Sequence, residues 1–401
     1  MKANNGFILG RAARISRSTV GVMVAAAALA IVSVPTAAPA QAARDSGPPP
    51  ESDSRVECSA TALIAAINTA NSAAGGHLTL TPNCTYTLTA ARSGTEDGLP
   101  PIRSRIMIEG KGATITRSAD PSTESFRIFE VASGGQLMLH AVIISNGNSP
   151  GPDPDGGGGI AVETGARLDA SGITIRDNVG ALGAGINNFG TAEMTNSIVA
   201  DNAGLHGGGV SNSVGTLTVT NTVFTGNRAE SDAGVGGAVY NQLGGSTSLV
   251  NTTITENIGD NSAGGVRNDH DSVLYLTNSQ VSANRAGPLF NAPTTVTGGG
   301  IQNLGTMVLR GTTVDQNHAA KTGLPTLARG GGIANLLSDE PSATAPTLSL
   351  INSQVTDNVA DDGPGGIYNN GGTVALRHTA VTGNRPTNCA GSSPPIAGCS
   401  G

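Results

Sequence analysis

The sequence predicts an all-β solenoid, namely a single right-handed parallel β-helix of about eleven coils. A motif returns eight times between residues 157 and 384: small residues lead into a branched apolar residue, and an Asn closes the unit. The apolar residues recur every 24 to 35 positions, the range in which a repeat indicates a solenoid. Between these fixed points Val, Ile, Leu and Thr alternate with polar residues, which is typical of strands.

Two sets of residues define the repeat. In seven units an Asn also stands two places after the apolar residue, which we call the anchor. The anchors are Ile160, Ile186, Val210, Val239, Val266, Ile301, Ile333 and Ile367. The closing residues are Asn178, Asn202, Asn227, Asn257, Asn284, Asn317, Asn358 and Asn384.

The spacing inside each unit predicts where the chain turns. Ten and eight residues before the closing Asn the side chains are mostly apolar, as two inward positions of one strand must be. Another apolar column lies three residues before it, and this odd offset requires a corner between the two strands. We therefore expect three strands in each coil, with corner residues whose amides bond from coil to coil; these are Asn196, Asn221, Asn251, Asn278 and Asn352.

Five segments are predicted along the chain. Residues 1–42 are expected to be a secretory signal, because four basic residues precede an apolar run from Val20 to Val34 and small residues end at Ala42. A proline-rich linker follows at 43–55. Residues 56–98 are predicted to form an N-terminal cap with a helix that starts after Ser59 and ends near Gly75. The β-helix then covers 99–388, and a disulfide-closed tail covers 389–401.

Charge and cysteine content restrict the partners and the compartment. Removal of the signal takes away four positive and no negative residues, which changes the formal charge from −7 to about −11. Nucleic acid is therefore not expected as a partner, since Lys and Arg supply phosphate binding. Cysteine pairs at the two ends indicate disulfides of an oxidising compartment, and Cys58 with Cys84 and Cys389 with Cys399 is the connectivity that suits a long solenoid.

Two short motifs are similar to those of a known family. Gly236-Gly237-Ala238-Val239-Tyr240-Asn241 and Phe224-Thr225-Gly226-Asn227 resemble the GGA[ILV] and FxxN repeats of polymorphic outer-membrane proteins. The segment from Val56 to Asn71, together with Cys84 to Leu88, resembles the cap of many secreted bacterial β-helix proteins. These resemblances imply a right-handed parallel β-helix of the pectin-lyase-like kind, and crossovers between parallel strands are also right-handed as a rule.

The outward face of the anchor strands is the predicted binding site. Enzymes of the pectin-lyase-like fold usually work on the outer face of one long sheet, and here the two longest loops, 285–298 and 318–330, border the anchor strands. Tyr240 and Arg267 are expected to face solvent there. Arg267 suits a uronate or phosphate, whose oxygens its planar fork can hold. The predicted binding residues are Tyr240, Arg267, Gln302, Phe290, Asp269 and His270.

Catalytic residues are not identified. Neither column beside the eight anchors holds a carboxylate, whereas glycoside hydrolysis needs two. The sequence therefore favours a secreted or cell-surface interaction protein without catalysis, which binds a polysaccharide or another surface component and has no membrane span in its mature chain. A polysaccharide lyase or glycoside hydrolase acting near Arg267 is the alternative, and a structural envelope component is the second. No cofactor is expected, apart from weak Ca²⁺ candidates at Asp177 and Asp201.

Overall fold

The computed structural model describes residues 53–149, 156–231, 234–287, 295–321 and 327–401. These residues form parallel strands stacked coil on coil, with one helix at Ala60–Ser72, so the predicted parallel β-helix is confirmed. The predicted signal and residues 43–52 of the predicted linker lie outside the described residues. The described part of the chain holds no helix that is both long and apolar enough to cross a membrane.

The largest sheet has 21 strands and bends at a corner into two arms. Eleven long-arm strands pair in sequence, one for each predicted coil of the described chain: Gly75–Leu80, Arg105–Arg117, Gln136–Ser145, Arg167–Ser171, Thr191–Thr195, Thr216–Thr220, Ser246–Val250, Val273–Thr277, Thr306–Arg310, Thr347–Ile351 and Thr373–Arg377. The short arm contains Thr85–Leu88, Thr174–Arg176, Ile198–Ala200, Val223–Thr225, Thr253–Thr255, Gln280–Ser282, Thr313–Asp315, Gln354–Thr356 and Ala380–Thr382. Two of the long-arm strands, Arg105–Arg117 and Gln136–Ser145, also run on past the corner.

The anchors form a second sheet, the anchor sheet. Its nine strands are Phe129–Val131, Ile160–Val162, Ile186–Asn188, Val210–Ser213, Val239–Gln242, Val266–Asn268, Ile301–Asn303, Ile333–Leu336 and Ile367–Asn370. All eight predicted anchors are fully buried, as are the inward apolar columns of both arms in the middle coils. The core is therefore a stack of branched aliphatic side chains, as the sequence predicts.

A third sheet was not predicted. After seven of the eight closing Asn residues, and also one coil before the first of them, two to four residues form another strand. These strands make up the rim sheet: Asn148–Ser149, Val179–Leu182, Ala203–His206, Arg228–Ala229, Ile258–Gly259, Arg285–Ala286, His318–Ala319 and Val359–Ala360. Val296–Thr297 and Ala328–Arg329 pair as a further small sheet. The prediction of three strands in each coil thus missed a fourth strand, because segments expected to be loops pair with their counterparts on neighbouring coils.

The N-terminal helix and the strands around it differ from the prediction in three details. Ser59 precedes the helix in an extended conformation, but its side chain makes no capping hydrogen bond. The helix ends at Ser72, and Gly75 already begins the first long strand, since the left-handed residue is Ala74 at φ 60°. Strand Asp53–Val56 takes over the last three residues of the segment predicted as a linker, because the open edge of the first coil offers backbone partners.

The predicted corners are confirmed by backbone conformation. Asn196, Asn221, Asn251, Asn278 and Asn352 all have φ between 48° and 50°, a left-handed region that Asn tolerates. Their amides bond from coil to coil at only two places in the described chain, Asn221 to Asn196 and Asn251 to Asn221, each at 3.2 Å and exposed. The predicted corner ladder is therefore short and open to water.

Two buried ladders of Asn side chains hold the coils together instead. Each closing Asn except the last, Asn384, donates from Nδ2 to Oδ1 of the next closing Asn at 2.9 to 3.0 Å. The Asn residues two places after the anchors form the second ladder, with distances of 2.7 to 2.9 Å from Asn188 to Asn369. A buried amide without a partner is costly, so each ladder fixes the register of the coils that it joins.

Both predicted disulfides are present, one at each end of the coil stack. Cys58 pairs with Cys84 beside the cap, and Cys389 pairs with Cys399 in the tail. Asn384 donates to Asn388 at 3.0 Å, so the tail supplies the next partner of the closing ladder. Ile396 of the tail is buried as part of the core. The tail therefore covers the last coil as the helix covers the first.

Candidate functional site

Three of the predicted binding residues share one column of the anchor sheet. Tyr240 pairs in register with Arg267, and Arg267 pairs with Gln302 on the following coil. Asp269 and His270 follow in the turn that ends the strand of Arg267. Phe290, the remaining predicted residue, lies outside the described residues. The sequence therefore predicted the register of this column correctly.

Arg267 is the centre of a closed network. Its guanidinium carbon lies 5.8 Å from the centroid of the Tyr240 ring, a cation–π arrangement. One nitrogen donates to Oε1 of Gln302, and another donates to Oδ1 of Asp269 at 3.3 Å. The cation is therefore engaged by groups of its own chain.

The carboxylate of Asp269 is equally occupied. The Tyr240 hydroxyl donates to its Oδ2 at 2.8 Å, and the backbone N–H of His270 donates to Oδ1 at 3.0 Å. The ring Nδ1 of His270 lies 3.3 Å from the same oxygen. Together with Arg267, these donors leave Asp269 as a shared acceptor within the cluster.

Residues from the preceding turns cover this column. The hydroxyl of Ser262 donates to Gln302 at 3.1 Å, and Gln302 donates to the hydroxyl of Thr297 at 2.6 Å. Tyr240 is only 8% exposed, and the Arg267 side chain is 17% exposed. The expectation that Tyr240 and Arg267 face solvent is wrong, because Tyr240 is buried and the Arg267 guanidinium is directed to Gln302 and Asp269.

Electrostatics favour the charged carboxylate and the neutral phenol. Burial alone would raise the pKa of Asp269, but the Arg267 guanidinium and the Tyr240 hydroxyl outweigh it and lower that pKa. Burial, reinforced by the neighbouring carboxylate, raises the pKa of Tyr240. At neutral pH, Asp269 is thus a weak base and Tyr240 keeps its proton.

The acidic pair proposed for Ca²⁺ occupies another kind of corner. Asp177 and Asp201 have φ of 55° and 54° directly before two closing Asn residues. The Asp177 carboxylate pairs with Arg176, and Asp201 packs over Gly226 of the next coil. In the part of the chain that the structure describes, no three potential metal ligands of the His, Cys, Asp or Glu type come together. Tolerance of the left-handed conformation accounts for Asp at this register.

One group of titratable residues was missed. The anchor sheet begins one coil before the regular repeats, and Glu130 stands in the outward column there, in register with Ala161. Asp97 lies beside it, buried with Arg127, whose Nε is 2.8 Å from Oδ1 of Asp97 but not aligned for a hydrogen bond. Burial and the hydrogen bond to Glu130 raise the pKa of Asp97 to about 7 despite the Arg127 charge. The strand Phe129–Val131 lacks the Gly-rich signature of the other anchor strands, so it was not recognised as one from the sequence.

The closed network has a stability consequence that can be measured. Arg267→Ala leaves the Asp269 carboxylate without its cation, so we expect the free energy of unfolding to fall by about 2 kcal/mol at neutral pH. Because Arg267 lowers the pKa of Asp269, this loss should be largest above pH ~4 and should shrink as Asp269 is protonated at lower pH, down to the part due to the Tyr240 and Gln302 contacts. Denaturant unfolding of both proteins across pH measures it.

Arg329→Ala is the matched control. Arg329 lies over the Tyr368 ring at 5.1 Å and donates to its hydroxyl at 2.8 Å, without a carboxylate in an ion pair among the described contacts. Its removal should give a smaller loss that does not vary with pH over the same range. A loss of equal size and pH dependence in the two variants would contradict the role assigned to Asp269.

Comparison with known proteins gives similarity to solved structures. No protein-family model and no curated protein sequence matches the chain. Pectate lyase Pel9A is similar with 13% identity and a TM-score of 0.39, over 86% of this chain and 82% of that one. PfbA, a surface adhesin of Streptococcus pneumoniae, is similar with 12% identity and a TM-score of 0.39, over 80% of this chain and 85% of that one.

Proposed function

We propose that this chain is a secreted protein that binds an extracellular polysaccharide or another cell-surface component without catalysing its conversion. The signal-like first 42 residues and the two disulfides support export to an oxidising compartment. The net charge of −7 supports a partner other than nucleic acid. The coil stack, fixed by two buried Asn ladders, is a rigid scaffold that suits recognition of an extended partner.

The closed network around Arg267 is the observation that carries this proposal. Elimination at a uronate needs a free base and a cation that neutralises the substrate carboxylate. Arg267 is instead engaged by Asp269 and Gln302, and the low pKa of Asp269 makes it a poor base at neutral pH. The cluster therefore acts as a brace between three coils.

A polysaccharide-active enzyme is the second candidate, and a different observation favours it. A carboxyl whose pKa is about 7 is matched to acid–base catalysis near neutral pH, and Asp97 has Glu130 as a carboxyl neighbour and Arg127 as a cation. Burial of Asp97 to 4% exposure counts against direct contact with a polymer. For this second candidate we assign the acid–base role to Asp97 and Glu130.

A panel of polysaccharides distinguishes the two candidates. The purified mature chain is incubated with polygalacturonate, pectin, cellulose, chitin and β-glucan, and is also sedimented with intact bacterial cells. Binding without new reducing ends and without the ultraviolet absorbance of unsaturated uronates is the expected result. Product that disappears in Asp97→Asn or Glu130→Gln would establish the enzyme instead, and absence of binding to every polysaccharide and to cells would refute the proposal.

A further inference from the structure

The outer face of the long arm carries an uncharged patch in the middle coils. In strands Thr216–Thr220, Ser246–Val250 and Val273–Thr277, alternate residues are buried and the others face outward, fully or partly exposed. None of the nine outward residues is charged, and six carry an aliphatic hydroxyl: Thr216, Thr218, Thr220, Ser246, Ser248 and Thr277. Tyr275, at 39% exposure, presents an aromatic ring in the same patch.

An exposed apolar ridge borders this patch. Val214 and Leu243 are 56% and 62% exposed, in the turns that lead into two of the three strands. The residues before them, Ser213 and Gln242, pair in register, so the two side chains stand on adjacent coils. The ridge and the patch therefore form one surface.

The backbone at the ridge disfavours the residues found there. Val214 and Leu243 both have φ of 54°, a left-handed conformation that costs roughly 1–2 kcal/mol for an ordinary side chain and is an outlier for a β-branched one. Gly371 occupies the equivalent turn position of the last coil, at φ 81°. Exposed apolar side chains here stabilise neither the conformation nor the core. Strain retained at an exposed position points to a binding role.

We propose that this surface, consisting of Val214, Leu243, Thr216, Ser246 and Tyr275, binds an uncharged polysaccharide. The inference rests on the proposed binding function and names its surface and ligand class. None of the nine patch positions offers a charge to a uronate or phosphate polymer, and the exposed Arg310, in register with Thr277, lies at the edge of the patch. Hydroxyls repeated at the strand spacing of ~4.8 Å can both donate to and accept from sugar hydroxyls. The ridge and the Tyr275 ring offer apolar area to the C–H faces of sugar rings.

The double variant Val214→Asn with Leu243→Asn tests this surface without endangering the fold. Asn tolerates φ near 54°, so the melting temperature should stay unchanged or rise. Binding to microcrystalline cellulose, chitin or insoluble β-glucan, measured by co-sedimentation, should weaken at least tenfold. Tyr275→Ala should weaken binding to the same polysaccharide.

Leu205→Asn is the control, because Leu205 is 48% exposed on the rim sheet and away from this surface. It should bind as the wild type does. Undiminished binding of the Asn double variant would overturn the surface assignment. Wild-type binding to polygalacturonate alone would overturn the ligand class and leave the proposed function standing. Binding only to cells, lost after protease treatment, would identify a protein partner and overturn the inference.

Discussion

Asn257→Ala is expected to lower the free energy of unfolding by about 3 to 5 kcal/mol. Asn257 is fully buried, and its Oδ1 accepts from both the backbone N–H and Nδ2 of Asn227, at 3.0 and 2.9 Å. Its Nδ2 donates to Oδ1 of Asn284 at 2.9 Å and to the Phe224 carbonyl at 3.1 Å. Alanine removes all of these partners at once and leaves the backbone N–H of Asn227 buried without an acceptor, while Nδ2 of Asn227 keeps the carbonyls of Val199 and Thr225.

Asn251 provides the matched comparison one corner earlier in the same coil. Its Nδ2 donates to Asn221 at 3.2 Å in an exposed position, so water replaces the lost bond. Asn251→Ala should therefore cost only about 1 kcal/mol, chiefly because Ala is disfavoured at φ 49°. Asn251→Gly retains that conformation and should cost less still. Equal losses for Asn257→Ala and Asn251→Ala in denaturant unfolding would show that burial of the ladder does not matter.

Most of the coil was predictable because its geometry is periodic. Inward-facing residues lie two apart along a strand, and a corner between two strands makes the offset between their inward residues odd. Counting back from each closing Asn therefore found the inward columns and the corner at Asn251 and its counterparts. The rim sheet escaped this method. Its strands are as short as two residues, as in Arg228–Ala229, and their buried members are mostly Gly or Ala, so no apolar alternation marks them.

The candidate site was only partly predictable for a different reason. The column of Tyr240, Arg267 and Gln302 follows from the repeat register alone. Its closure depends on Ser262 and Thr297, each of which lies four residues before an anchor, but the residue at this offset differs from coil to coil and no repeated side-chain type marks it. Sequence spacing does not show which loop folds back over a sheet. Glu130 was missed because its strand lies before the first regular unit.

Asp97 should make the protein less stable as the pH rises from about 4 to 7. Below about pH 4 its carboxyl is protonated in both the folded and the unfolded chain, so its contribution does not change with pH. Between pH 4 and 7 the Asp97 carboxyl is ionised in the unfolded chain, where it has its ordinary pKa. In the folded chain, burial keeps it protonated up to about pH 7. Folding then takes up a proton, and the free energy of unfolding should fall by up to about 4 kcal/mol across this window.

Asp97→Asn isolates this contribution from the other carboxyls. Asn approximates the protonated side chain, so the variant should lose the decline between pH 4 and 7 and be more stable than the wild type at pH 7. Asp269, whose pKa is lowered, changes the free energy of unfolding in the opposite direction and at lower pH. It does so in both proteins, so its contribution cancels when the variant is compared with the wild type. Urea unfolding at several pH values gives that difference. A constant difference between the two proteins from pH 4 to 7 would mean that Arg127 holds Asp97 ionised, and that the pair is an ordinary buried salt bridge.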